Sequence, residues 1–487
     1  MLTGVNLLLR FIGTSFQVYL SGRIGAAGIG LLQLVMSVGS LAMVAGIGGI
    51  RTATMYLTAE EIGKGRPQNT TWIISACLLY SILFSGTVSM LLYHFAPRIA
   101  ESWIGDIRTV HPLRLYAAFL PVVCLGAVMT GYFTGANRIG TLAAVEVAEQ
   151  LVSMVLTLGF LILWAGHSPI RACLSVIAGS SLGSCLTLLC LVILRIMERS
   201  PRSSPVPLRS RLLQAAVPLA LADDLKSGIN TVENLTVPKR LSLHRQTDSP
   251  LAAFGMVSGM VFPVIMFPVA ILFGLTELLV PELARCSAAA SRERIAYLLH
   301  KSLRVALIYG LLLGGLIFLL SDYLCLQLYG QLDAAPALRS YSLLIPMLYC
   351  DTITDALTKG LGQQKICVRY NILTSLLDVA FLYLLLPRYG MEGYFLSFFI
   401  THLINFCLSL RRLLVITGET VSPTVPVRCA LAAGLGLWSS IHVTAPFFRG
   451  FCYFVILLCI LYLLKIIRTE DLLWVKELVH KKDLTGR

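Results

Sequence analysis

Apolar stretches of about twenty residues, the length a helix needs to cross a bilayer, recur along the whole of this 487-residue chain. A helix keeps its backbone hydrogen bonds within itself, which makes it one of the few structures that hydrocarbon tolerates. Charged residues make up 13% of the chain, about half the share usual in a soluble domain, and the mean hydropathy is +0.79. A water-soluble globular fold is excluded. The expected fold class is an all-α polytopic membrane protein.

Bounded by Gly, Pro and charge, the stretches give fourteen candidate transmembrane helices, from 2–20 and 28–50 at the start to 426–444 and 449–467 at the end. The first run, Val5–Leu20, has no basic segment before it and no small-residue cleavage site, so it reads as a retained helix. The seventh, 211–235, carries Asp223, Asp224, Lys226 and Glu233 and spans only if those groups face protein or water. Loops after even-numbered helices, with the tail, collect more than twice as many Lys and Arg as loops after odd-numbered ones. That bias places both termini in the cytoplasm of a multi-pass protein of the cell membrane. The net charge of +14 is then a topology signal and an attraction to anionic membrane lipid, and no nucleic-acid partner is expected.

The segment Glu198–Arg211 is polar, basic and rich in Pro and Ser, the composition of a linker. The expected organisation is an N-terminal six-helix bundle (1–197), a cytoplasmic linker (198–211), a C-terminal six-helix bundle (212–414), two additional transmembrane helices (415–468) and a cytoplasmic tail (469–487). Self-comparison supports a duplication. Laying Gly30–Ala59 on Gly255–Ala284 puts Ala45 on Ala270 and Gly49 on Gly274, an offset of 225, and Thr134–Ile139 lies on Leu361–Ile366 at 227. An even number of crossings per unit gives both halves one orientation, with a pseudo-two-fold axis along the membrane normal and a path between them.

Charge at mid-membrane costs about 2.5 to 3.5 kcal/mol per residue even on insertion scales, so polar groups inside these helices are candidates for function. Helical spacing sorts them into stripes: Glu146, Glu149 and Gln150 on the fifth helix, Asp223, Lys226, Asn230 and Glu233 on the seventh, Asp351 and Asp355 on the tenth. Three striped helices point to a polar central cavity, with local pairing such as Asp223 with Lys226 as the alternative. Arg10, midway along the first helix with Gln17 two turns on, either binds a phosphate or snorkels to the inner surface. Arg51, closing the second helix, is either a second phosphate ligand or an inside-positive anchor. Pro218, Pro263 and Pro268 lie within helices seven and eight, where each removes a backbone donor, and are candidate hinges.

The thirteen cysteines are scattered singly, with no CxxC pair and no Cys/His cluster, so neither a metal site nor a disulfide framework is expected. No phosphate-binding loop, HExxH or DxD motif is present. The chain is expected to be no enzyme and to use no cofactor.

The ordered set Leu20-Ser21-Gly22-Arg23-Ile24-Gly25-Ala26-Ala27-Gly28, Gly131-Tyr132-Phe133-Thr134-Gly135-Ala136-Asn137, Glu149-Gln150-Leu151-Val152, Val237-Pro238-Lys239-Arg240-Leu241 and Gly360-Leu361-Gly362-Gln363 resembles the multidrug/oligosaccharidyl-lipid/polysaccharide exporter superfamily, in its stage V sporulation protein B and polysaccharide-biosynthesis branch. The resemblance covers nearly the whole chain. It implies fourteen helices in a six, six and two arrangement. It also implies a flippase that moves a polyprenyl-phosphate-linked saccharide or cell-wall precursor from inner to outer leaflet by alternating access, with H+ or Na+ as a coupling ion. In similar lipid II flippases arginines on the first helices bind the pyrophosphate. Arg10 matches one such position, whereas Phe16 and Gln17 stand where a second arginine is expected. Two rival functions remain: a cation-coupled drug or metabolite antiporter, which would favour an acid in the first two helices, and a non-transporting sporulation or envelope assembly factor. No acid occurs between Met1 and Ala59.

Cysteines introduced at Ser204 and Ser249 are expected to label from opposite faces of the membrane with an impermeant maleimide; labelling from one face would refute the topology.

Overall fold

The structure is a computed structural model that describes residues 2–166, 168–197, 209–244, 249–464 and 466. Among these residues there is no strand, and the helices fall into fourteen segments in chain order. α1 covers 2–24. Gly25, at φ 79° and ψ 167°, breaks the run, a conformation that costs glycine little. α2 runs from 26 to 47, turns at Gly48 and Gly49, and continues as Ile50–Gly63. α3 is Thr70–Ile99 with a π-helical end Ala100–Ile104, α4 is Val110–Gly135, α5 is Ile139–Phe160 and α6 is Pro169–Met197. α7 is Arg209–Leu241; α8 (250–288) is broken, and α9 is Arg292–Tyr329. α10 joins Ala335–Ser342 to Ile345–Gly360; α11 (364–389) and α12 (391–417) part at Gly390; α13 is Thr424–Ser440 and α14 is Pro446–Leu463.

Among the described residues, eight continuous runs, or nine with α8 as one bent span, are long and apolar enough to cross a membrane. Two of them, 11–63 and 364–417, exceed fifty residues and each holds two crossings once Gly25 and Gly390 are read as breaks. Outward-facing Leu163, Phe447 and Trp438 are 85%, 80% and 71% exposed, which suits lipid and would be costly in water. The chain is a multi-pass membrane protein.

The repeat is written in the backbone. Left-handed residues end equivalent helices at Gly65 and Ala290, at Gly105 and Gly330, and at Asn137 and Gly362, each pair 225 residues apart. The hydrogen bonds around them repeat as well: Arg66 N to Glu61 O matches Ser291 N to Cys286 O, and Arg138 N to Phe133 O matches Gln363 N to Thr358 O. Gly135 of α4 presses on Met55 O and Thr58 of α2, as Gly360 of α10 presses on Val280 O and Leu283 of α8. The offset is therefore 225 at this turn too, not the 227 suggested by residue identity. Helix ends are set by where the chain turns left-handed, and either Asn or Gly satisfies that, so identity slips there by two residues.

By packing, the chain forms two compact units, residues 1–259 with 379–394 and residues 260–378 with 395–487. Most of the linker expected at 198–211 lies outside the described residues, as does the tail expected at 469–487, and the packing units part at 259/260. In the first unit α7 lies against α2: Thr231 Oγ1 donates to Ser37 O at 3.0 Å and Asn234 Nδ2 to Ser37 Oγ at 2.8 Å. The α11–α12 turn joins this unit because the Arg240 guanidinium lies 3.1 Å above the Tyr383 ring and His244 Nδ1 lies 3.3 Å from Pro387 O. In the second unit α13 and α14 dock on α9, with the Tyr453 ring seated over Gly315 and its hydroxyl donating to Leu311 O at 2.8 Å.

Prolines inside helices leave carbonyls unpaired one turn back, and hydroxyls from neighbouring helices take them up. Pro121 offers no N–H to Ala117 O, and Ser89 Oγ of α3 donates to that oxygen at 2.6 Å. Pro263 leaves Gly259 O, which accepts from Ser21 Oγ. α8 passes through a π-helical turn at 257–261 and bends by 56° at Phe267–Pro268. There three tyrosine hydroxyls cap the backbone: Tyr329 on Met260 O (2.8 Å), Tyr349 on Ile265 O (3.1 Å) and Tyr309 on Pro268 O (2.9 Å).

Ser89→Ala is expected to lower stability by about 1 kcal/mol, read as earlier thermal unfolding in detergent. Thr87→Ala, whose hydroxyl only returns to Leu83 O of its own helix, is expected to change little.

Candidate functional site

The side chains of Arg10, Pro218 and Asp223 lie outside the described residues. Of the other predicted site residues, Arg51, Glu146, Glu149, Gln150 and Gln17 lie in the first unit and Asp351 and Asp355 in the second, while the α7 stripe and the α8 prolines stand apart.

The second unit holds the clearer site, a cavity of about 360 Å³. α10 supplies Asp351, Asp355 and Lys359, one turn apart on one face, α11 supplies Asn371 and α12 Asn405. Asn405 Nδ2 donates to both oxygens of Asp351, at 3.2 and 3.1 Å. Lys359 Nζ pairs with Asp355 Oδ2 at 2.5 Å. Asp355 Oδ1 and Asn405 Oδ1 are buried acceptors with no donor. A wall that offers unpaired carboxylate and amide oxygens suits a cation or the hydroxyls of a sugar.

Asp378 on α11 makes a contrast. It is 6% exposed, and its Oδ1 accepts from Ser397 Oγ at 2.6 Å and Thr401 Oγ1 at 3.2 Å on α12. This carboxylate is satisfied by its neighbours and staples two helices.

In the first unit Arg51 of α2 lies near enough to Glu146 of α5 for their charges to interact. One turn on, Glu149 accepts from Ser184 Oγ of α6 at 2.9 Å. The small residues Gly179 and Gly183 permit that approach by letting α6 close on Thr157 and Ser153. Gln150 meets α1 beside Gly13, 3.6 Å from where a Cβ would stand, and Gln17 is half-buried one turn along the same face. At the offset of 225, Arg51 and Glu146 correspond to Thr276 and Asn371, which line the cavity of the second unit. The two clusters occupy equivalent places in the two repeats. Both carry a cation and acids, and the second adds two asparagine amides.

On α7, Lys226 and Asn230 are exposed and Glu233 is half-buried; the face that packs on α2 carries Thr231 and Asn234 instead. Pro263 is buried on α8 and Pro268 stands at its bend. Among the described residues, no group of three or more His, Cys, Asp or Glu is placed to hold a metal ion. Sequence reading had followed polar residues at helical spacing from a charged one on the same helix, and so missed Asn371, Asn405 and Ser184 on neighbouring helices. The one available signal was an asparagine within an otherwise apolar run, as Asn405 is in α12.

Comparison with known proteins adds the following. The MatE family profile matches residues 3–158. Stage V sporulation protein B of Bacillus subtilis (strain 168) is 22% identical over 405 residues, covering 80% of this chain and 78% of that protein. Sporulation protein YkvU of the same organism is 21% identical over 356 residues, covering 68% and 78%. Among solved structures, an inward-facing multidrug resistance MATE family transporter of the MOP superfamily superposes with a TM-score of 0.69 at 14% identity, over 86% of this chain and all of that one. The lipid II flippase MurJ in an inward closed conformation gives 0.70 at 14% identity, over 96% and 100%.

Asn405→Leu takes the amide donor from Asp351 and is expected to cost about 1 to 3 kcal/mol of stability. Combined with Asp351→Leu the loss should be less than the sum of the two, a coupling that a double-mutant cycle measures.

Proposed function

We propose that the chain, which is similar over 80% of its length to stage V sporulation protein B and shares the fold of MOP superfamily transporters, is a flippase of the multidrug/oligosaccharidyl-lipid/polysaccharide exporter superfamily rather than an enzyme. Its substrate is a polyprenyl-phosphate-linked saccharide or cell-wall precursor, carried from inner to outer leaflet of the cell membrane by alternating access. Both termini are cytoplasmic.

The observation that carries this reading is the pair of polar clusters at equivalent places in the two repeats. A lipid-linked saccharide has an anionic phosphate end and a hydroxyl-rich sugar end. Arg51, together with Arg10, suits the phosphates as a fixed charge-assisted donor. The acids and amides of the second cluster suit sugar hydroxyls or a coupling H+ or Na+. Glu149, Gln150 and Gln17 line the first cluster, and the α7 stripe of Asp223, Lys226, Asn230 and Glu233 belongs to the same path. Pro218, Pro263 and Pro268 allow α7 and α8 to flex.

The acid-rich cavity around Asp351 and Asp355 also favours a second reading, a cation-coupled antiporter of small molecules. The two readings part in proteoliposomes loaded with a fluorescent undecaprenyl-pyrophosphate saccharide, by the rate at which its headgroup becomes accessible to an outside quencher. Acceleration by the protein, slowed about tenfold or more by Arg51→Ala, supports the flippase. No acceleration with either a proton or a sodium gradient supplied would refute it and favour the antiporter.

A further inference from the structure

We infer that the inner end of the α9–α13 contact holds the phosphate of an anionic phospholipid of the cytoplasmic leaflet, gripped by Arg304 and Arg428. The inference rests on the topology proposed above and on no part of the substrate reading.

The duplication isolates the feature. At the offset of 225, Tyr297, Lys301 and Arg304 of α9 correspond to Trp72, Ala76 and Leu79 of α3. Trp72 and Tyr297 are 42% and 43% exposed, which suits aromatic rings at a membrane interface. Past them the copies diverge. Leu79 faces outward, 61% exposed, whereas the same place on α9 carries a guanidinium. Lys and Arg that only mark the cytoplasmic side gather in loops; Arg304 lies inside a spanning helix.

Depth makes that arginine demanding. Arg304 is seven residues past Tyr297, about 10 Å along the helix. Side chains lean toward the N-terminus of their helix, which returns the guanidinium toward the level of the lipid phosphates. A cation there calls for an anion, and among the described residues no ion pair or hydrogen bond joins Arg304 to any group.

α13 brings the rest of the site. Arg304 lies near enough to Cys429 of α13 for their charges to interact, and Cys429 shares a core with Leu307 and Ile308, one turn past Arg304. The adjacent Arg428 is exposed, and it too has no ion pair or hydrogen bond among the described residues. α13 begins at Thr424 with no acid in its first turn, so the positive end of its dipole adds to the two arginines. Lys301 donates from Nζ to the Tyr297 hydroxyl at 3.0 Å and adds a further positive charge. Glu419, just past α12, is taken up by His300, 3.1 Å from its Nε2. Guanidinium forks match phosphate oxygens. Beyond them the surface suits acyl chains: Val427, Leu431 and Leu435 are exposed and run at helical spacing along α13 from beside Arg428. Charge and apolar stripe together fit a phospholipid better than a free anion.

The test follows thermal unfolding of the full-length protein in detergent as phosphatidylglycerol is titrated in, with phosphatidylcholine, inorganic phosphate and undecaprenyl phosphate as parallel probes. Phosphatidylglycerol should raise the unfolding temperature and phosphatidylcholine should not. Arg304→Gln and Arg428→Gln should each raise the lipid concentration for half the effect about fivefold. Arg411→Gln, which removes an exposed arginine near the inner end of α12, should leave it unchanged. If Arg304→Gln does not fold, Arg428→Gln at its exposed position carries the test. Stabilisation of Arg428→Gln equal to that of the parent overturns the site, and an equal loss in Arg411→Gln overturns it in favour of diffuse attraction. Inorganic phosphate that reproduces the shift, or undecaprenyl phosphate that binds more tightly, overturns the phospholipid in favour of a free anion or of substrate. The readout is blind to leaflet and to transport. Arginine-dependent lipid binding in a protein whose cysteines at positions 204 and 249 label from one face would therefore keep the lipid and refute the leaflet.

Discussion

In hydrocarbon no water is available to satisfy an amide or a carbonyl, so every backbone polar group must find its partner inside the protein. The rest of this structure follows from that constraint. It explains why the described residues hold helices and no strand. It also explains why several departures from a straight helix are answered by a hydroxyl. Ser89 answers Pro121, Ser21 answers Pro263, and Tyr309, Tyr329 and Tyr349 answer the break in α8. The broken helix is thus a built feature, which keeps a bend in the bilayer without leaving carbonyls bare.

Duplication supplies the second layer. Three left-handed helix ends with their hydrogen bonds recur 225 residues later, and the glycine contact of α4 on α2 recurs in α10 on α8. Backbone geometry outlasts side chains here because a left-handed cap or a glycine crossing admits few substitutes. Polar chemistry has diverged on this shared frame. Where one repeat places Arg51 and Glu146, the other places Thr276 and Asn371, with Asp351, Asp355 and Asn405 around them. Each cluster holds one cation and two acids, and the second adds the amides Asn371 and Asn405, which widen its capacity for a hydroxyl-bearing or cationic ligand.

The acids also show why burial alone does not mark a site. Asp378 is buried and its carboxylate is satisfied by Ser397 and Thr401, so it joins helices. Asp355 and Asn405 keep acceptors without donors beside a cavity, so they have capacity left for a ligand. Sequence spacing placed Asp351 and Asp355 on one face of one helix. It had no means to distinguish the satisfied acid from the unsatisfied ones, because the deciding partners are uncharged residues on other helices. Asn405 is 54 residues from Asp351 and Ser184 is 35 from Glu149. An asparagine or serine in an apolar helix costs too little to stand out in composition.

The sequence by itself determined the class of the fold and the number of its helices, since hydrophobic length and charge spacing are local properties that a bilayer reads one segment at a time. It also determined where α8 is weak, because Pro263 and Pro268 lack a donor in any context. Tertiary structure alone decided which helices share a unit, which acids remain open and where Arg304 meets α13. Each of those depends on a partner far away along the chain, and a partner's distance and unspent hydrogen bonds exist only once the helices have packed.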